Sequence, residues 1–276
     1  MSNYSQRVKR VYINAVLIIA CIGILLSCKP PTRKKGFTIV SISPAMTEIL
    51  FALGAGNHLV GVTTFCNYPE PAKKIYKIGD FSNPSVERIV GLKPDLVIVN
   101  LPEQMRIKKQ LAKLGITVFV SSPNALNDIY KEIAEIAGLI GKERAADSLI
   151  LYMKKNITPF KQPNKKRVYV ELSPRPIITI GAHSFLNELL EMAGGKNIFS
   201  DLEKDYPVIS QEEIIKRDPE IIILLHPESI KNRLAWKKIA AIKNNKIYRD
   251  INQDHLLRPG PRLVEGFKAL KRIILE

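Results

Sequence analysis

The chain has 276 residues, 46% apolar and 25% charged, which fits one large domain or two ordinary ones with packed cores and argues against disorder. Its formal charge is +16, but residues 1–35 hold +7 with no acid, and the remaining +9 is spread without interleaved aromatics. Nucleic-acid binding is therefore not indicated, and the mildly basic surface suits an anionic ligand or a place beside anionic lipid.

The N-terminus reads as an export signal. Arg7, Lys9 and Arg10 precede an apolar stretch from Val11 to Leu26, broken only by Asn14 and short for a membrane span. Leu25-Leu26-Ser27-Cys28 resembles the lipobox of bacterial lipoprotein signals, in which Cys28 would be acylated and become the first mature residue. Cys21, seven residues earlier, is a rival, and an uncleaved anchor helix is the other reading. The polar, Pro-rich segment that begins after Cys28 favours that residue. Residues 1–28 are then a signal peptide and 29–35 a tether. Cys66 alone remains in the mature body, so no internal disulfide is expected.

From residue 36 on, strand and helix patterns alternate. A strand over 37–42 leads through Ser43-Pro44 into a helix to Leu53, and a second strand covers 59–64 before a loop at 65–83. Then comes a segment that recurs. Asp80, Ser85, Glu87, Ile89, Pro94 and Ile98 are matched 125 positions later by Asp205, Ser210, Glu212, Ile214, Pro219 and Ile223. In each copy a Ser stands where a helix cap is wanted, an acid follows in the first turn, and a Pro stops the helix before a β-branched run. Such a run without polar breaks marks a strand buried on both faces. The first copy is followed by a helix over 104–114 and a strand over 117–120, which completes a parallel α/β unit.

Two helices, 127–137 and 142–157, come next. The second spans ~24 Å at 1.5 Å per residue, enough to cross between lobes. A strand over 167–172, a helix over 185–193, the second repeat, a strand over 246–249, a loop over 252–260 and a helix over 261–275 complete the chain. The expected fold is α/β: two similar lobes with parallel-type sheets, residues 36–141 and 165–276, joined by one rigid helix at 142–158, with a ligand cleft between them.

Catalytic signatures (G-x-S-x-G, P-loop, H-E-x-x-H, C-x-x-C) are missing, and His58, His183, His226 and His255 lie far apart in sequence. No enzyme is expected, although a metal-dependent α/β hydrolase remains an alternative if histidines and carboxylates converge in the cleft. Glu87 and Glu212 have two readings: acids favoured by the helix dipole, or a symmetric pair that meets cationic sockets on a two-fold partner. Phe81 and Tyr206 follow the repeated Asp in the loops that gather at the carboxyl ends of parallel strands, where such sheets bind ligands. Each could clamp a flat ligand or plug its own lobe. Phe65, Tyr68 and the loop Asp254-His255-Leu256-Leu257-Arg258 offer similar chemistry, while Arg258 and Arg262 could meet a ligand anion or form structural ion pairs.

Val40-Ser41-Ile42-Ser43-Pro44-Ala45-Met46-Thr47-Glu48, Lys93-Pro94-Asp95-Leu96-Val97, Gly194-Gly195-Lys196-Asn197-Ile198-Phe199 and Arg258-Pro259-Gly260-Pro261-Arg262 give the chain its likeness. Over residues 36–276 it resembles the helical-backbone (class III) substrate-binding proteins of ABC importers, nearest to their cobalamin-binding branch. The resemblance implies capture, without chemistry, of a corrinoid by a monomer. A ferric siderophore or haem is the alternative ligand. It implies cleft-lining roles for Phe65, Phe81, Tyr206 and Asp254, His255, Leu256, Leu257 and Arg258, and docking of Glu87 and Glu212 on a permease dimer driven by ATPase subunits. Neither a cofactor nor a resident metal is implied. The protein would be exported and lipid-anchored outside the cytoplasmic membrane. The chain departs from the cobalamin-binding pattern at Phe81, Tyr206 and His255, each of which replaces a Trp.

Overall fold

The computed structural model describes residues 36–230 and 233–276, so the export signal and Cys28 lie outside the described residues. Strands β1 (Ile39–Ser41), β2 (Leu59–Val62), β3 (Leu96–Asn100) and β4 (Val118–Ser121) form one sheet in the order β2-β1-β3-β4, parallel throughout. Helices α1 (Pro44–Ala52), α2 (Val86–Gly91) and α3 (Met105–Lys113) connect them. After β4 come α4 (Leu126–Ile140) and α5 (Glu143–Asn156), then a second sheet. It is built from β5 (Arg167–Pro174), β6 (Ile177–Thr179), β7 (Lys196–Asn197), β8 (Ile221–Leu224) and β9 (Ile247–Tyr248). The order is β6-β5-β8-β9 with β7 also on β5, and every pairing except the antiparallel β5–β6 is parallel. Helices α6 (Phe185–Met192), α7 (Gln211–Arg217), α8 (Ala240–Lys243), α9 (Asp254–Leu257) and α10 (Leu263–Leu275) complete it. Among the described residues no helix is long and apolar enough to cross a membrane.

The sequence repeat is a repeat of structure. In both copies the Ser hydroxyl caps its helix: Ser85 accepts from the Arg88 amide at 3.2 Å and Ser210 from the Glu213 amide at 3.3 Å. Each helix is followed by a residue with positive φ directly before the Pro, Lys93 at 47° and Asp218 at 43°. Such a conformation is uncommon for a residue with a side chain. At Asp218 the carboxylate meets the Ala240 amide at 2.8 Å, which fixes the turn from outside. The strands that follow, β3 and β8, pair with the first strand of their lobes, β1 and β5.

Alternation along these strands explains how the lobes are joined. Ile39, Leu96 and Ile98 of the first sheet and Val168, Val170, Ile221 and Ile223 of the second belong to one continuous apolar core. Their neighbours face outward into separate cores: Val40, Val97 and Val99 pack with Ile107 and Leu111, and Tyr169, Ile222 and Leu224 with Phe199 and Trp236. The shared core is filled by α1 (Met46, Ile49, Leu50), α4 (Ile129, Ile133, Ile136), α6 (Leu189, Leu190) and α10 (Phe267, Leu270, Ile273).

The helix expected at 142–158 is α5, which packs Ala146 and Met153 into the shared core, and α4 lies in that core beside it. It is α4 that bonds to both lobes: Glu132 accepts from the Ser121 hydroxyl at 2.7 Å and the Ser122 amide at 2.8 Å at the end of β4, and the Leu126 amide donates to Glu188 of α6 at 2.8 Å. The reason is its apolar stripe. Five residues of α4 are buried, against only Ala146 and Met153 in α5. Two short elements also differ from the sequence expectation. Residues 177–179 form an edge strand beyond the Arg175-Pro176 turn, and the 252–260 loop contains helix α9.

Candidate functional site

A cavity of about 500 Å³ opens between the lobes at the carboxyl ends of the parallel strands. Its walls come from the segments that follow β1, β3 and β4 on one side, and from β5, β6, Asp205 and Tyr206 on the other, with Leu257, Arg258 and Pro259 joining from the C-terminal part. This is the place where parallel α/β sheets accept ligands, because loops leave the strands there and backbone groups are unpaired.

Phe81 and Tyr206, the aromatic pair of the repeat, both line it. Phe81 is positioned by a residue whose role the sequence did not suggest. Buried Gln104 donates through Nε2 to the Phe81 carbonyl at 2.9 Å and accepts through Oε1 from the Asn100 amide at 2.7 Å, which ties the loop to the end of β3. Tyr206 is half-exposed; partial burial, then the Asp205 and Glu103 carboxylates, push its phenol above the ordinary value. Glu103 belongs to the first lobe and Tyr206 to the second, so that influence crosses the cleft.

The 254–258 block divides. Leu257 and Arg258 line the cavity, whereas Leu256 is fully buried in the shared core and His255 stands outside the lining. Asp254 pairs with Arg258 at 3.0 Å and Arg262 at 3.7 Å. Phe65 is 55% exposed and outside the lining; its carbonyl accepts from Arg258 at 3.1 Å. Helical geometry accounts for the division, since successive residues of α9 point to different sides.

Both arginines of the Arg258–Arg262 motif are held in ion pairs, Arg258 where it also lines the cavity. Arg258 donates to Glu48 at 2.9 Å and to Asn67 at 2.8 Å, and Arg262 donates through Nε to Glu48 at 2.8 Å while its guanidinium stacks 4.3 Å over the Tyr68 ring. Glu48 on α1 is buried, so this cluster fastens the C-terminal segment to the first lobe. A second buried carboxylate, Glu171, receives the Tyr169 hydroxyl at 2.7 Å, His226 at 2.8 Å and both terminal nitrogens of Arg233 at 2.6 and 2.7 Å. Burial, then the nearby Glu171 charge and its hydrogen bond, drive the Tyr169 phenol upward. Among the described residues no three His, Cys, Asp or Glu side chains gather to hold a metal ion. Buried Cys66 lies 3.3 Å from the Thr47 and Thr63 hydroxyls.

Glu87 and Glu212 are exposed, one per lobe, each in the first turn of its helix. Backbone amides at the helix start, then the Ser85 and Ser210 hydroxyls, hold both carboxyls below the ordinary value. Ser85 Oγ donates to Glu87 at 2.9 Å.

The sequence profile of the periplasmic binding proteins matches residues 39–253. The chain belongs to the periplasmic binding protein family. It is 35% identical over 257 residues to an ABC transporter substrate-binding lipoprotein of Bacillus subtilis strain 168, covering 88% of this chain and 81% of that one. A solved structure described as a possible iron-binding, periplasmic solute-binding protein of Staphylococcus epidermidis superposes with a TM-score of 0.76 at 34% identity, over 88% of this chain and all of that one. The periplasmic vitamin B12 binding protein of Vibrio cholerae does so with a TM-score of 0.72 at 26% identity, over 86% and 96%. This family member is thus an ABC transporter substrate-binding protein and not an enzyme, with a two-lobed α/β fold and an extracytoplasmic place of work.

Proposed function

We propose that this binding protein captures a corrinoid in the interlobe cavity and delivers it to the permease of its ABC transporter. The observation that carries the reading is the cavity itself, lined by one aromatic from the same repeat position of each lobe, Phe81 and Tyr206. Aromatic faces on both sides suit a broad, flat macrocycle, and the vitamin B12 binding neighbour adds support. An iron chelate or haem is the second reading, favoured by the likeness to the possible iron-binding protein of S. epidermidis. The ligand leaves unchanged, so the protein calls for no cofactor of its own; it acts as a monomer, as the resemblance implies.

Glu87 and Glu212 dock on the two halves of a permease dimer, whose ATPase subunits supply the work of transport. Acylated Cys28 holds the protein at the outer face of the cytoplasmic membrane, and Cys28→Ser should leave an unprocessed precursor or move it into the soluble extract. Acyl labelling lost instead on Cys21→Ser would assign the anchor to the other cysteine. The ligand is tested by incubating protein with cobalamin, haem and ferric siderophores and following absorbance through gel filtration. Co-elution of cobalamin is expected; co-elution of haem or a siderophore alone would select the second reading.

A further inference from the structure

Three charged side chains line the interlobe cavity: Glu103, Asp205 and Arg258. The arginine brings no free charge, because Glu48 at 2.9 Å and Asp254 at 3.0 Å already hold it. The two acids have no such neutralisation. Among the described residues neither enters an ion pair, and the Glu103 carboxylate accepts only from the Asn100 side-chain amide at 3.2 Å. Lys204, the residue before Asp205, does not line the cavity. A chain with a net charge of +16 thus presents a cavity of net negative charge. The two carboxylates line the same cavity from opposite lobes, Asp205 from the second and Glu103 from the first.

We infer that the cleft selects a metal chelate of neutral to positive net charge, with peripheral amide or ammonium groups directed at Glu103 and Asp205. This rests on the reading of the cavity as the capture site and names the charge class of its ligand. The physical reason is one of complementarity. N–H donors meeting ionised carboxylates form charge-assisted hydrogen bonds, the stronger kind. A chelate rimmed with carboxylate or catecholate oxygens would bring like charge against two acids in a partly dehydrated site, with no uncommitted cation to receive it. Corrinoids carry peripheral amides, and those lacking the nucleotide arm are cationic. Ferric trihydroxamates with an amine tail are cationic as well. Haem, with its propionates, and ferric catecholates are of the disfavoured class. The basic surface suggested an anionic ligand from composition alone; the cavity, which holds a small and unrepresentative share of the charges, points the other way.

The test is titration calorimetry of the full chain in detergent at low salt against aquacyanocobinamide, cyanocobalamin, ferrioxamine B, haem and ferric enterobactin. Wild type should prefer a cationic or neutral chelate to both anionic ones. Glu103→Gln with Asp205→Asn should weaken a cationic chelate by roughly tenfold and flatten its salt dependence, while changing cyanocobalamin less. Circular dichroism of the double variant verifies that it folds. Tightest binding of haem or ferric enterobactin by wild type, or no change in cation affinity in the double variant, would overturn the charge assignment and leave chelate capture standing. Binding of none of the five would overturn chelate capture itself.

Discussion

Glu48 shows how much a single buried carboxylate can decide. It is 3% exposed and holds Arg258 and Arg262, residues more than two hundred positions away in the chain. Replacing one partner of such a cluster leaves the others charged and dehydrated, so Glu48→Ala should lower stability by about 3–5 kcal/mol in urea unfolding. A loss below about 1 kcal/mol would mean that water reaches the arginines. Nothing near Arg258 in sequence announces Glu48, so the sequence by itself leaves ligand contact and ion pair both open. The exposed acids of the repeat behave differently. Their carboxyls are held low, so the charge is present above the ordinary carboxylate value and lost only as pH falls through the lower folded one. If they dock on the permease, association should stay flat from about pH 7 to about pH 5. Reversal of both to Arg should abolish transport in reconstituted vesicles with ligand affinity unchanged. Wild-type transport by the double variant would remove them from the mechanism.

At the scale of elements, the parts written in local chemistry were legible. Serine caps, the stop prolines and the unbroken β-branched runs announce α2, β3, α7 and β8, and the structure sets each pair in the same place of its lobe. Legibility ended where tertiary contact decides. The joining role of α4 depends on Glu132 reaching β4 and on the Leu126 amide reaching Glu188, partners that no periodicity reveals. Strand β6 is three residues long at a sheet edge, and α9 is a single turn, so neither carries enough pattern to read. The resemblance implies one cleft surface for the block 254–258, but a turn of helix sends Leu256 into the core and Leu257 to the cavity. Ile133 of α4 is fully buried in the shared core, so Ile133→Ala should cost about 2–5 kcal/mol.

For the whole molecule, the consequence of that shared core is that the lobes should not unfold separately. Trp236, the only tryptophan, lies in the outer core of the second lobe and reports on it, while far-ultraviolet circular dichroism averages both lobes. The two signals should follow one urea transition in wild type and in Ile133→Ala, and transitions that part would show independent lobes. A continuous apolar core also favours a small closing motion on ligand capture over a wide hinge, since packed interiors resist continuous deformation. On the proposed reading, a corrinoid sits between the lobes against Phe81 and Tyr206. The most direct test is calorimetry of cyanocobalamin binding to wild type, Phe81→Ala and Tyr206→Ala. Each substitution should weaken binding by about 1–3 kcal/mol, the scale of a lost buried aromatic surface. Undiminished affinity in both variants, or no cobalamin binding by a wild-type protein that takes haem or a siderophore tightly, would contradict it.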